Sequence, residues 1–222
     1  MNSREAVLAN IRRSLGVTGA EAPRSFEVEA RLMKAPAGVE PRRGQGDLDA
    51  RAATFRAESE RAQATVAEVP TLAAVPAEVA RFLRDNNCPA ALRMGEDARL
   101  AELPWSETSL EIALGPSDGH DLNAMSFAFA AVAESGTLAL VSGRDNPTTL
   151  NFLPDNHVVV VKRDDIVADY EAVFLKLRAV FGKGRAPRTL NFITGPSRSA
   201  DIEQALLLGA HGPRRLHIVV AG

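Results

Sequence analysis

Three side chains in the second half of the chain, Glu134, Asp201 and His211, have the chemistry of a base or a nucleophile. Glu134 opens the sequence Glu-Ser-Gly-Thr, which separates two apolar runs. A carboxylate held in such a turn can act as a nucleophile or a base, and the N–H groups of the turn can bind an anion. The alternative is an ordinary hairpin turn, which needs Gly136 for a positive φ and leaves Glu134 in solvent.

A second turn, Thr194–Ser199, follows the strand-like segment Leu190–Ile193 and precedes an acidic, amphipathic segment that we predict to be a helix. Hydroxyl groups, the free N–H groups of a helix start and the charge of Arg198 suit the binding of an anion. Asp201 and Gln204, however, have the spacing of a capping box, in which the helix caps itself. These residues alone leave both interpretations open.

His211 lies in the sequence Gly-Ala-His-Gly-Pro, which predicts a loop between that helix and the last strand. An imidazole on such a loop can relay protons near neutral pH, although most exposed loop histidines have no such role. We therefore predict Glu134, His211 and Asp201 as catalytic candidates. The predicted ligand-binding residues are Ser135, Gly136, Thr137, Thr194, Gly195, Ser197, Arg198 and Ser199.

Several motifs that would define a function are absent from the sequence. No G-x-G-x-x-G follows a strand, and neither a complete P-loop nor a G-x-S-x-G nucleophile turn occurs. The four histidines lack metal-binding spacing on a helix face, so we expect no metal site. The single cysteine, Cys88, cannot form an internal disulfide or hold an iron–sulfur cluster within this chain.

Composition places the chain among ordinary globular proteins. Hydrophobic residues make up 45% and charged residues 24% of its 222 residues. The net charge of −2 gives no electrostatic reason to expect nucleic acid or an anionic membrane as a partner. No apolar run reaches the roughly 18 residues of a membrane span, and the N-terminus lacks the apolar core of a secretory signal. We therefore expect a cytoplasmic protein.

Periodicity indicates two parts. Residues 3–15 are predicted to form a helix that ends at Gly16, and residues 17–46, rich in Pro and Gly, a linker or an extended arm. The predicted domains are therefore an N-terminal helix with its linker, 1–46, and an α/β domain, 47–222.

The α/β prediction is based on alternating patterns between residues 65 and 114. Strand-like and helix-like segments follow one another there, which indicates a mostly parallel sheet with helices on both faces. Further along, 126–133 and 137–142 are predicted to form a hairpin. The other predicted elements are strands at 65–69, 89–94, 109–114, 157–161 and 190–193, a last strand beginning at Arg215, and helices at 47–64, 76–87, 96–103 and 164–182.

Three segments together resemble the lactate-utilization domain family, in particular its C branch. They are AESGTLAL, PTTLNFLPDNHVVVV and ITGPSRSADIEQALLLGAHGPRRLHIVV, and the resemblance runs in order over roughly residues 120–221. It implies a fold similar to the sugar-phosphate isomerase and coenzyme A transferase superfamily. In coenzyme A transferases a glutamate beside a glycine turn attacks the acyl group, and Glu134 is similar to that pattern.

The resemblance also implies a process and partners. The protein would be a cytoplasmic subunit of a multi-protein system that oxidises L-lactate to pyruvate, beside iron–sulfur subunits and without a cluster of its own. A small anionic ligand is expected, and no cofactor is assigned. The alternatives are a free-standing enzyme similar to coenzyme A transferases or sugar-phosphate isomerases, and a non-catalytic scaffold subunit.

Overall fold

The computed structural model describes residues 2–34, 38–199 and 207–222. The chain divides into two compact units, Met1–Val39 and Glu40–Gly222. The first contains helix α1 (Ser3–Leu15), which Asn2 caps and Gly16 ends, and helix α2 (Ala22–Lys34).

Helix α2 corrects the prediction of a linker or extended arm for residues 17–46. Phe26, Ala30 and Met33 recur at the spacing of one helix face, and a proline in the first turn, Pro23, is compatible with a helix. The frequent Pro and Gly around this segment outweighed that signal in the sequence. The predicted division at residues 46 and 47 stays a prediction.

The second unit contains the remaining elements, and Asp47 and Asp169 cap two of its helices. Its helices are α3 (Leu48–Arg61), α4 (Val75–Asp85), α5 (Ala98–Ala101) and α6 (Tyr170–Phe181). Its strands are β1 (Thr65–Val69), β2 (Ala91–Met94), β3 (Glu111–Leu114), β4 (Asn123–Phe127), β5 (Ala130–Val132), β6 (Thr137–Val141), β7 (Asn156–Lys162), β8 (Ile166–Val167), β9 (Leu190–Ile193), β10 (Arg198–Ser199), β11 (Leu207–Leu208) and β12 (Arg215–Ala221).

Six strands form a parallel sheet in the order β1-β12-β7-β4-β2-β3. Helices α4 and α5 pack on one face of this sheet. The other face packs against α3 and a second sheet, β8-β5-β6-β9, whose far side is covered by α6. The predicted α/β fold with helices on both faces is confirmed, and the second sheet is an addition that the sequence pattern did not predict.

A segment that we predicted as one strand, 126–133, is shared between the two sheets. Within 126–133, β4 ends at Phe127 in the large sheet, and β5 begins at Ala130 in the small one. The run is buried almost throughout, so its apolar character could not show where the chain passes between sheets. The predicted hairpin is confirmed for β5 and β6, which pair antiparallel.

The prediction of a helix between Thr194 and Gly209 is wrong in its described part. Arg198–Ser199 and Leu207–Leu208 pair as antiparallel strands, so their backbone groups are satisfied between strands. The residues between Ser199 and Leu207, which include Asp201 and Gln204, lie outside the described part of the chain. None of the helices that the structure describes is long and apolar enough to cross a membrane.

Candidate functional site

A cavity of about 250 Å³ brings together two of the predicted regions. Its lining includes the turn Thr194–Arg198, the loop His211–Pro213, and the residues Asn151 and His157. The sequence predicted the turn and the loop as candidates, and the structure places them around one space. The other two residues were not predicted.

Backbone hydrogen bonds hold the turn against the loop. The Ser197 N–H donates to the Pro213 carbonyl (2.8 Å), and the Gly209 N–H donates to the Ser197 carbonyl (3.0 Å). The His211 N–H donates to Ser197 Oγ (3.3 Å). Because this hydroxyl oxygen already accepts a bond, its proton is available for an anionic ligand. The exposed Arg198 adds a positive charge to the wall.

Two glycines fix both predicted turns on the end of helix α3. Gly195 has φ +70°, and a Cβ on it would lie 2.1 Å from the Ala62 carbonyl oxygen. Gly136 has φ +65°, and its Cβ would lie 2.4 Å from the Ser59 nitrogen. The Ser59 hydroxyl also donates to the Gly136 carbonyl (3.3 Å). No other residue could take these positions without moving the turns away from α3.

Four hydroxyl groups connect the two turns to each other. Thr137 Oγ1 lies 2.6 Å from Thr194 Oγ1, 2.9 Å from Tyr170 Oη and 2.8 Å from Ser135 Oγ. The Ser135 hydroxyl donates to Tyr170 Oη (3.1 Å). The sequence placed Tyr170 only on the apolar face of α6, although it is the single tyrosine of the chain and carries a polar group.

Glu134 lies in the same turn but does not line the cavity. Only 7% of it is exposed, which contradicts the solvated alternative, and its N–H donates to the Ala168 carbonyl (3.2 Å). Its catalytic role stays a prediction. Asp201 lies outside the described residues, and of Ser199 the structure describes the backbone in β10.

A buried polar chain lies behind the cavity wall. Ser126 Oγ is 3.0 Å from His157 Nε2 and donates to Asn151 Oδ1 at 3.2 Å. All three side chains are 1% exposed or less. The sequence did not reveal these contacts, because Ser126 and His157 were predicted within apolar strands and Asn151 within a short helical segment, 146–154. A histidine directly before four valines was the available signal, because buried polar groups are rare without a reason.

Burial determines the protonation state of the histidine in this buried polar chain. It lowers the pKa of His157 to about 3, so the imidazole is neutral at physiological pH. Within the described part of the protein, His157 Nδ1 and Asn151 Nδ2 have no hydrogen-bond partner. An unpaired buried polar group costs about 1–3 kcal/mol, so the arrangement is expected to be completed by a ligand or water.

A larger cleft of about 410 Å³ lies at the outer strands β2 and β3. Its arginine, Arg93, is already paired with Asp121 (3.0 Å). The smaller cavity is therefore the better candidate, because its polar atoms remain available. Across residues 2–34, 38–199 and 207–222, no three His, Cys, Asp or Glu side chains meet as metal ligands.

Comparison with known proteins identifies the region that holds these features. The family model of the LUD domain matches residues 123–221, which include both turns, the cavity wall and the buried polar chain. This region of the chain is therefore similar to the LUD domain. The resemblance to the lactate-utilization domain family is thereby confirmed for this part of the chain.

Curated relatives align with this chain over about as many residues as the family model does. Lactate utilization protein C of Shouchella clausii is 35% identical over 96 residues, or 43% of this chain and 42% of that protein. The protein of the same name from Halalkalibacterium halodurans is 37% identical over 119 residues, or 52% and 51%. The chain thus matches about half or less of the length of these relatives.

A solved structure shares the fold of most of this chain. A crystal structure of a DUF162 family protein from Deinococcus radiodurans superimposes with a TM-score of 0.60 at 22% identity. The superposition covers 80% of this chain and 100% of that one. At this identity the likeness establishes a shared fold.

Proposed function

We propose that the protein acts in lactate utilization, as a cytoplasmic subunit of a multi-protein system that oxidises L-lactate to pyruvate. The observation that supports this most is the coincidence of the region similar to the LUD domain, residues 123–221, with the polar cavity. Relatives that are 31–37% identical are named lactate utilization protein C, which supports the same process.

The cavity has the chemistry to bind a small carboxylate. Its volume of about 250 Å³ lies below the range of about 300–1,000 Å³ that is common for larger ligands. Thr194, Ser197 and Arg198 offer two hydroxyl groups and a positive charge at its wall. His211 lies beside them and is the proposed proton carrier of this site.

Oxidation of L-lactate to pyruvate releases two electrons and two protons. We propose that the electrons pass to iron–sulfur partner subunits, since the single cysteine of this chain cannot hold a cluster. The chain would then bind the substrate or product anion and accept protons. Affinity purification of the tagged chain from lactate-grown cells tests this: iron–sulfur subunits should co-purify, and purification of the chain alone would contradict it.

Growth on lactate tests the proposed process. A strain that lacks the gene is complemented with wild type, Ser197→Ala, His211→Ala or Glu134→Ala, and the exposed Arg84→Ala is the matched control. Ser197→Ala and His211→Ala should slow growth on lactate but not on glucose, at unchanged protein levels. Normal growth on lactate of the strain without the gene would overturn the proposal.

A free-standing enzyme that uses Glu134 as nucleophile is less well supported. Glu134 is buried and does not line the cavity, so an acyl group bound there would not meet the carboxylate. A covalent adduct on Glu134 after incubation with an acyl-coenzyme A would favour that alternative.

A further inference from the structure

The buried chain behind the cavity has a defined direction of hydrogen bonding. The amide oxygen Oδ1 of Asn151 can only accept, so the Ser126 hydroxyl donates its single proton to it. The Ser126 oxygen must then accept from its other neighbour, Nε2 of His157. The neutral imidazole therefore carries its proton on Nε2, and its Nδ1 is left as a hydrogen-bond acceptor.

The two atoms left over have opposite hydrogen-bonding character. Nδ1 of His157 accepts, whereas Nδ2 of Asn151 donates, and both lack a partner among the described residues. Both residues are fully buried, and both are among the residues that line the cavity. A single ligand that completes both atoms must present a proton to Nδ1 and an acceptor oxygen to Nδ2.

We propose that the pair His157 and Asn151 binds a 2-hydroxy acid, with the hydroxyl donating to Nδ1 and a carboxylate oxygen accepting from Nδ2. A 2-hydroxy acid is the smallest anion that carries both groups on neighbouring carbons. The rest of the carboxylate faces Ser197 and Arg198 at the open side of the cavity. This inference rests on the proposed function and assigns the substrate contacts within it.

The pairing predicts selectivity for the hydroxyl group. An acid without the hydroxyl leaves Nδ1 of His157 unpaired, and a 2-oxo acid presents a second acceptor to it. Sites that are built to bond a hydroxyl reject analogues that lack it, because the buried polar group is then unsatisfied. We expect L-lactate to bind at least about tenfold more tightly than propionate, and glycolate at least about tenfold more tightly than acetate.

Calorimetric titration of the purified full chain with these four acids tests the pairing. Asn151→Leu keeps the side-chain size and removes the donor, and it should weaken L-lactate binding at least about tenfold. Ser126→Ala releases Nε2 of His157 and lets the ring change tautomer. It should therefore reduce the preference for L-lactate over propionate while propionate binding stays unchanged. Arg84→Ala should match wild type.

Nitrogen NMR of ¹⁵N-histidine-labelled protein gives a readout that does not depend on binding. The ligand-free wild type should show the Nε2–H tautomer for His157, and Ser126→Ala should show a mixture. Circular dichroism of each variant verifies the fold. A wild-type ring protonated on Nδ1 would overturn the inference.

The binding and growth experiments fail separately. If L-lactate binds but Asn151→Leu and Ser126→Ala leave its affinity and selectivity unchanged, the pairing is overturned and the proposed function stands. The pairing is equally overturned if none of the four acids binds. If the strain without the gene grows normally on lactate, the proposed function fails even where the titrations succeed.

Discussion

Two buried histidines differ in how many of their ring nitrogens are hydrogen-bonded. They lie on neighbouring strands and on opposite faces of the parallel sheet. His217 on β12 stacks on the Phe82 ring at 4.2 Å. Its Nδ1 lies 2.7 Å from Thr65 Oγ1 and its Nε2 3.0 Å from Glu78 Oε1. Both ring nitrogens are therefore paired, and burial lowers the pKa of His217 while Glu78 opposes that shift.

His157 on β7 is buried as deeply but only half satisfied. Ser126 meets its Nε2, whereas its Nδ1 has no partner in the described part of the chain. No charged group offsets the effect of burial on its pKa. Strand β1 and helix α4 thus complete His217 as part of the core, whereas Nδ1 of His157 is left for the ligand that we propose.

The largest expected effect is on the sheet face that α4 covers and on which His217 lies. Phe82→Ala removes the stacked ring beside His217 and leaves a void, which should lower the free energy of unfolding by about 3–5 kcal/mol. Urea denaturation measures this loss. L-lactate affinity should stay unchanged under conditions where the variant is folded. A loss of L-lactate affinity in the folded variant would show that the two faces of the sheet do not have separate roles.

The second effect is a pH dependence that separates the histidines. Burial lowers the pKa of His157 from about 6.5 to about 3, so between these values the unfolded chain binds one more proton than the folded one. Its contribution to stability is complete above pH 6.5 and is lost, at about 1.4 kcal/mol per pH unit, as the pH falls.

Denaturant titrations at pH 7, 6 and 5 measure this slope in wild type and His157→Gln. The variant should lose less stability per pH unit, and the remaining part includes His217. Equal slopes in both proteins would show that the His157 imidazole is not kept neutral by the fold.

A smaller effect is expected at Glu78. Burial raises the pKa of its carboxyl, but bonds and charges from Arg81 and His217 outweigh this and lower it overall. Glu78→Gln should cost about 1–2 kcal/mol near pH 7, because a charge-assisted hydrogen bond is lost. As the pH falls below 4.5, the carboxyl becomes protonated in the unfolded chain, so the folded carboxylate stabilises the wild type less. The difference in stability between wild type and Glu78→Gln should therefore shrink. A pH-independent difference would contradict the assigned role.

The smallest effect is expected in the hydroxyl cluster. Tyr170→Phe removes the hydroxyl that meets Ser135 and Thr137 but keeps the ring, which packs edge-on to Phe192 at 5.1 Å. We expect a loss of about 0.5–1.5 kcal/mol in thermal unfolding. An unchanged melting temperature would show that the cluster does not hold the two turns together.

Local patterns predicted the parallel sheet and the hairpin of β5 and β6, and they singled out two segments that line one cavity in the structure. They could not predict that 126–133 divides between two sheets, because a run buried on all sides carries no period that distinguishes its ends. Helix α2 was missed because its flanking prolines resemble those of a linker. Leu207–Leu208 pairs with Arg198–Ser199, a contact between segments that no helix-or-strand propensity reports.

By itself, the sequence determined the α/β class, the LUD resemblance and the polar turns at Glu134, Thr194 and His211. It could do so because hydrophobic periodicity and turn residues act between near neighbours in the chain. Only the tertiary structure decided that His157 is among the residues that line the cavity and that Glu134 is not. The hydrogen-bond partners of a buried polar atom come from strands and turns that are distant in sequence. Both ring nitrogens of His217 have a partner, as expected in a core, whereas one nitrogen of His157 has none among the described residues.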